Sequence, residues 1–97
     1  MRVRYTLPAL ADLASILDYV AVRSPQGARR VQAHIKAVIE LLLVHPYIGV
    51  RTEDSTIRRL TTTPYPYLVF YEVTDTEIII YAVRHGARDP LGMTGSA

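Results

Sequence analysis

The sequence predicts an α+β domain in which a helical hairpin packs on a small, mostly antiparallel β-sheet, in the order β-α-α-β-β-β. Three observations carry that expectation. Between Pro8 and about Val44, two consecutive stretches repeat apolar residues at the helical intervals of three and four. After His45-Pro46 the period shortens to the alternation of strands. Two β-branched and aromatic runs, Tyr67–Val73 and Glu77–Val83, are then joined by Thr74-Asp75-Thr76, a hairpin connection.

Val3–Thr6 is a short β-branched and aromatic run that reads as the first strand. Pro8 follows where the first turn of a helix accepts proline, with Thr6 placed to cap it. Leu10, Leu13, Leu17 and Val20 mark the face expected to be buried, and Asp12, Ser15 and Asp18 fall on other sides. That helix should stop near Arg23, because Ser24-Pro25 pairs an N-cap with a first-turn proline and starts another. Ala28, Val31, Ile35, Val38 and Leu42, widened by Ile39, form the second apolar stripe, opposite Arg29, Ala33, Lys36 and Glu40. The pattern holds from Pro25 to about Val44. With almost no loop between them, the two helices must fold back on each other.

Beyond Pro46, Tyr47–Gly49 reads as a turn, Thr52–Thr56 as a polar loop and Ile57–Leu60 as a short strand. Pro64 and Pro66 keep Tyr65 extended. In Tyr67–Val73, Leu68, Phe70 and Glu72 face one side and Val69, Tyr71 and Val73 the other. The unbroken apolar character of Ile78–Val83 predicts a central strand covered on both faces. A parallel pairing of the first strand with a later one is left open by this order. Residues 1–97 are expected to be a single domain, with 91–97 a frayed tail.

Composition narrows the function classes. The 97 residues hold no Cys and no Trp, carry a formal charge of +2, and are 49% hydrophobic and 21% charged. Such a chain suits a folded globule and excludes disulfide frameworks, thiolate nucleophiles and thiolate metal sites. No apolar run approaches the roughly 18 to 20 residues of a membrane span, and a cytoplasmic protein is expected. Of the 11 basic residues all but Lys36 are Arg, the side chain suited to planar contacts with carboxylate or phosphate. Residues 1–48 have net charge +3 and residues 49–97 net −1, so there is no polybasic tail.

Most catalytic chemistry finds no support. His34, His45 and His85 lack metal-ligand spacing. The glycines are scattered rather than gathered in a phosphate loop, and no serine sits in a nucleophile elbow. No metal or cofactor is expected. The positions that stand out are Arg58-Arg59 on the short strand and Arg84-His85-Gly86-Ala87-Arg88-Asp89-Pro90 after the last one. If those strands are neighbours, several cations and one imidazole collect at one edge, able to hold RNA phosphates or an acidic protein surface. The alternative is structural: Arg58 and Arg88 forming salt bridges with Asp89 or Glu72. Tyr65, Tyr67, Tyr71 and Tyr81 are read as packing residues.

The run Tyr67-Leu68-Val69-Phe70-Tyr71-Glu72-Val73, a turn, Ile78–Val83 and the following Arg-His-Gly-Ala-Arg-Asp-Pro resembles the ending of the RelE/ParE toxin superfamily, closest to its ParE branch. The resemblance spans about residues 2–90. It implies a toxin of a bacterial type II toxin–antitoxin module, neutralised in a hetero-oligomer by a ParD-like or RelB-like antitoxin that folds over an apolar groove and basic rim. The ParE-like expectation is inhibition of DNA gyrase without an enzymatic step, with Arg59, Arg84, His85 and Arg88 binding the target. The alternative is a RelE-like, ribosome-dependent mRNA endoribonuclease. Leu68 stands where that branch commonly has Arg, and no Tyr or His follows Arg88, which favours the gyrase reading.

Overall fold

A computed structural model describes residues 1–86. In chain order they form β1 (Arg2–Tyr5), α1 (Leu7–Arg23), α2 (Pro25–Leu41), β2 (Val50–Arg51), β3 (Arg58–Thr61), β4 (Tyr67–Val73) and β5 (Glu77–His85). The strands make one mixed sheet in the order β1-β5-β4-β3-β2. β1 runs parallel to β5, and the other neighbours are antiparallel. The helical hairpin and the α+β class are therefore as expected, and the parallel pairing left open is present.

Short polar side chains set the helix boundaries. The Thr6 hydroxyl accepts the Ala9 N–H at 3.2 Å and points at the Ile80 and Tyr81 carbonyls, tying the start of α1 to β5. Ser24 ends α1 through its own N–H to the Val20 carbonyl, and its hydroxyl accepts the Gly27 N–H at 2.9 Å to open α2. One residue thus closes one helix and caps the next.

The core lies between the hairpin and one face of the sheet. Val31, Ile35, Ile39 and Leu42 meet Tyr67, Val69, Tyr71, Ile78, Ile80 and Val83, all buried. Burying each of these side chains stabilises the fold by about 1.5–3 kcal/mol. Four boundaries or faces differ from expectation. α2 ends at Leu41, because the residue before Pro46 avoids helical geometry and Leu42–Val44 tightens into i→i+3 bonds. Leu42 still reaches the core. α1 is rotated so that Ala9, not Leu10, is fully buried; the small side chain permits close approach while Leu10 stays exposed. β2 occupies Val50–Arg51, ahead of the expected polar loop, and β5 continues two residues past Val83.

A further difference concerns the two faces of β5. The helices cover only one face of the sheet, yet Ile79 on the other face is only 6% exposed. In the ladders it lies between Arg4 and Glu72, long side chains whose methylenes shield apolar surface. The continuous apolar run of β5 is therefore satisfied without a second helical layer among the described residues.

Candidate target-binding face

Register decides which side chains share the open face. Across β3, β4 and β5, Arg59 pairs with Phe70 and Phe70 with Ala82, while Thr61 pairs with Leu68 and Leu68 with Arg84. Paired residues point to the same side. Arg59 and Arg84 therefore share the outer face with Leu68, Phe70 and Ala82 between them. β4 separates their strands, so their Cα atoms are roughly 12 Å apart, given about 4.8 Å between strands and about 3.3 Å per residue.

A β-bulge sets this arrangement. Tyr71 pairs with Ile80 but Phe70 with Ala82, leaving Tyr81 as the extra residue. The insertion reverses the parity of everything after it. Val83 turns inward and is buried, Arg84 turns outward, and His85 turns to the helix side, where its ring meets Tyr67 edge-on at 5.6 Å. The structure thus brings Arg59 and Arg84 to one face and puts His85 on the other. Arg88 and residues 91–97 lie outside the described residues.

The two cations differ in their surroundings. Arg84 Nε is 3.6 Å from Asp12 Oδ2 on α1, and the same oxygen accepts the Val83 N–H at 3.0 Å. Asp12 thereby holds the part of β5 that outruns β1. Arg59 has no ion-pair partner among the described residues. At the other edge, Glu77 joins Arg4 at 3.1 Å and Arg2 at 3.8 Å. On the same face the Tyr81 hydroxyl donates to Glu72 Oε1 at 2.7 Å, which together with some burial and the carboxylate's charge raises the Tyr81 pKa above its ordinary 10.0. No group of three or more His, Asp or Glu among the described residues is arranged to hold a metal ion, and no helix among them is long and apolar enough to cross a membrane.

Arg58 makes no salt bridge with Glu72, the structural alternative for this residue. Its guanidinium donates to the carbonyls of Tyr47 and Gly49 at 3.2 and 2.9 Å and lies 5.1 Å from the Tyr47 ring centre. Tyr71 completes this fastening: its buried hydroxyl donates to the Pro46 carbonyl at 2.8 Å and accepts the Gly49 N–H at 2.9 Å. Tyr67 and Tyr71 pack in the core as expected, whereas Tyr81 belongs to the open face. The sequence offers no role for Asp12 beyond a place off the buried helix face, and reads Glu72 only as an alternative salt-bridge partner of Arg58 or Arg88. Asp12 lies 72 positions from Arg84 and carries no local signal, while Glu72 and Tyr81 are neighbours across a hairpin whose bulge no residue type announces.

The relatives of the chain agree with this architecture. The family described as ParE toxin of type II toxin-antitoxin system, parDE, matches residues 3–90. Toxin RelE2 of Caulobacter vibrioides is 38% identical over 87 residues, covering 90% of this chain and 97% of its own. Y4kP of Sinorhizobium fredii is 32% identical over 85 residues, covering 87% and 88%. Among solved structures, the chromosomal ParDE TA system from P. aeruginosa superposes with a TM-score of 0.76 at 27% identity, covering 88% of this chain and 95% of that one. With the same hairpin on the same sheet and a family match over nearly its whole length, the chain belongs to the ParE toxin family of type II toxin–antitoxin systems.

Proposed function

We propose that this toxin arrests growth in the cytoplasm by binding DNA gyrase through the open sheet face, without a chemical step of its own. Arg59 and Arg84 are the contacts on the described face, and Arg88 extends the series along the chain. Family membership implies an antitoxin partner; direct binding of that protein is the proposed means of silencing.

One observation supports binding over cleavage. The bulge turns Arg84 outward and His85 inward, so among the described residues no imidazole shares a face with the two guanidiniums. RNA cleavage needs a general acid or base within hydrogen-bond reach of the reacting group. Leu68, Phe70 and Ala82 between the arginines instead form an apolar strip with a cationic border, which suits a protein surface. The ribosome-dependent endoribonuclease keeps one point in its favour, since guanidiniums on an open face also hold phosphates.

The test is purified gyrase with relaxed plasmid. Loss of supercoiling or a stabilised cleavage complex is the expected result, and the Arg59→Ala, Arg84→Ala double variant should weaken it by about tenfold or more. Unaltered gyrase activity, together with new mRNA ends at the ribosomal A site in toeprinting, would establish the nuclease instead.

A further inference from the structure

The cations of this chain differ in how far they are committed. Arg2, Arg4 and Arg84 pair with carboxylates, Arg58 donates to backbone carbonyls, and Arg23 lies 5.0 Å from the Tyr19 ring centre. Besides Arg51 and Arg59 on the sheet, the cations without a partner among the described residues are Arg29, Arg30 and Lys36, all exposed and all on α2. Residues 19–39 contain no Asp or Glu; Asp18 and Glu40 border the stretch. A surface helix held only by solvation normally mixes both signs at i,i+4 spacing, and α2 does not.

Helical geometry gathers the three charges. Arg29 stands four positions before Ala33, Arg30 three before it and Lys36 three after it, the separations that make neighbours on a helix surface. They therefore surround one exposed methyl group, on the side opposite the buried Val31, Ile35 and Ile39. Arg29 and Lys36 are two turns apart, about 10.5 Å along the axis. Ala33, and Ala37 one turn further on, are exposed and too small to hold a ligand surface away.

Such a face suits a polymer that is anionic by its own chemistry, the nucleic-acid backbone. Single strands are commonly held by stacking bases on aromatic rings. α2 has no Phe, Tyr or Trp, and its His34 ring is engaged with the Thr63 carbonyl at 2.8 Å and the Tyr65 ring. Duplex DNA needs no stacking platform, because its phosphates lie outermost at one charge per ~1.7 Å of axis.

We propose that the solvent face of α2 binds the phosphate backbone of duplex DNA, without reading its sequence, through Arg29, Arg30 and Lys36. The two guanidiniums donate to phosphate oxygens and Lys36 adds a point charge. The hairpin covers one face of the sheet, and Arg59 and Arg84 stand on the other. A toxin seated on a protein through its sheet thus still presents α2 outward, and both sides can engage an enzyme that carries DNA. That two-sided consequence rests on the gyrase reading; DNA binding by α2 does not.

The experiment is fluorescence anisotropy of a labelled duplex of about 20 base pairs with purified toxin, from low to high salt and with a second, unrelated sequence. The expected dissociation constant is about 10⁻⁴–10⁻⁶ M near physiological salt for both sequences, with log K falling against log salt at a slope of about −2.7, or about 0.9 per phosphate. Arg29→Gln, Arg30→Gln and Lys36→Gln should each reduce that slope by about 1, and the triple variant should weaken low-salt binding by about tenfold or more. Glutamine preserves helix propensity and the positions are exposed, so the melting temperature of the triple variant should stay within about 3 °C of the parent. Should it lose its fold, the three single slopes decide. No measurable binding at low salt, or a folded triple variant within about twofold of the parent, would overturn the proposal. So would tighter binding of a single-stranded RNA of the same length. Loss of binding in Arg59→Ala, Arg84→Ala with the α2 variants unaffected would move the phosphate contacts to the sheet and overturn it as well. Because no gyrase enters the assay, failure here and failure of the gyrase reading are separate results.

Discussion

Tyr71 shows how one residue can serve core and surface together. Its ring is fully buried between α2 and the sheet, while its hydroxyl fastens the loop that leads into β2. Tyr71→Phe keeps the packing but leaves the buried Gly49 N–H without its acceptor, so it should lower unfolding free energy by about 1–3 kcal/mol in urea titrations. Burial is the main reason the Tyr71 pKa is raised above 10.0, against the opposing Gly49 N–H and Arg58 charge. Tyr5 is raised by burial and by Glu40. A raised folded-state value makes the neutral phenol part of the fold's stability. That contribution is complete below pH 10.0 and is lost as pH rises through the higher folded values. Melting temperature should therefore fall from about pH 10 upward, and Tyr71→Phe should flatten the fall. An alkaline limb unchanged by the variant would show that Tyr71 does not drive it.

At the scale of elements, the decisive feature is the junction of α1 with the end of β5. β1 is four residues long and β5 nine, so the last part of β5 lacks a strand on that side. Thr6 and Asp12 stand in for the missing backbone partner. Asp12→Ala removes the acceptor of the Val83 N–H and should destabilise the fold by about 1–3 kcal/mol. Arg84→Ala removes a half-exposed ion pair and should cost less than about 1 kcal/mol. Thermal unfolding of the two variants measures the difference. A larger loss for Arg84→Ala would make Arg84 a structural residue and weaken its assignment to the target.

At the scale of the whole fold, one helical layer on one sheet face leaves the other face open among the described residues, as the proposed binding role requires. The single core must then carry the fold. Leu42 is fully buried at the turn that ends α2, and Leu42→Asp should leave the chain unfolded or insoluble, because an unpaired carboxylate there costs several kcal/mol or more. Circular dichroism of the purified variant is the measurement. A folded, soluble Leu42→Asp protein would mean that the hairpin does not depend on this contact.

Local signals in the residues determined the elements: helical spacing of Val31, Ile35, Ile39 and Leu42, the Ser24-Pro25 restart, the Thr6 cap, and the alternation of β4. Each depends on neighbours within a turn or a pleat, which is why each was legible. The resemblance at Tyr67–Pro90 likewise pointed to the right superfamily. Long-range pairing determined the rest. Placing β4 between β3 and β5 separated Arg59 from Arg84, and one extra residue at Tyr81 sent Arg84 outward and His85 inward. Asp12 found Arg84, and Tyr71 found Gly49, across distances in the chain that no spacing rule spans. Parity in a sheet is reset by any single insertion, so the side chains of the open face were settled only when the strands paired.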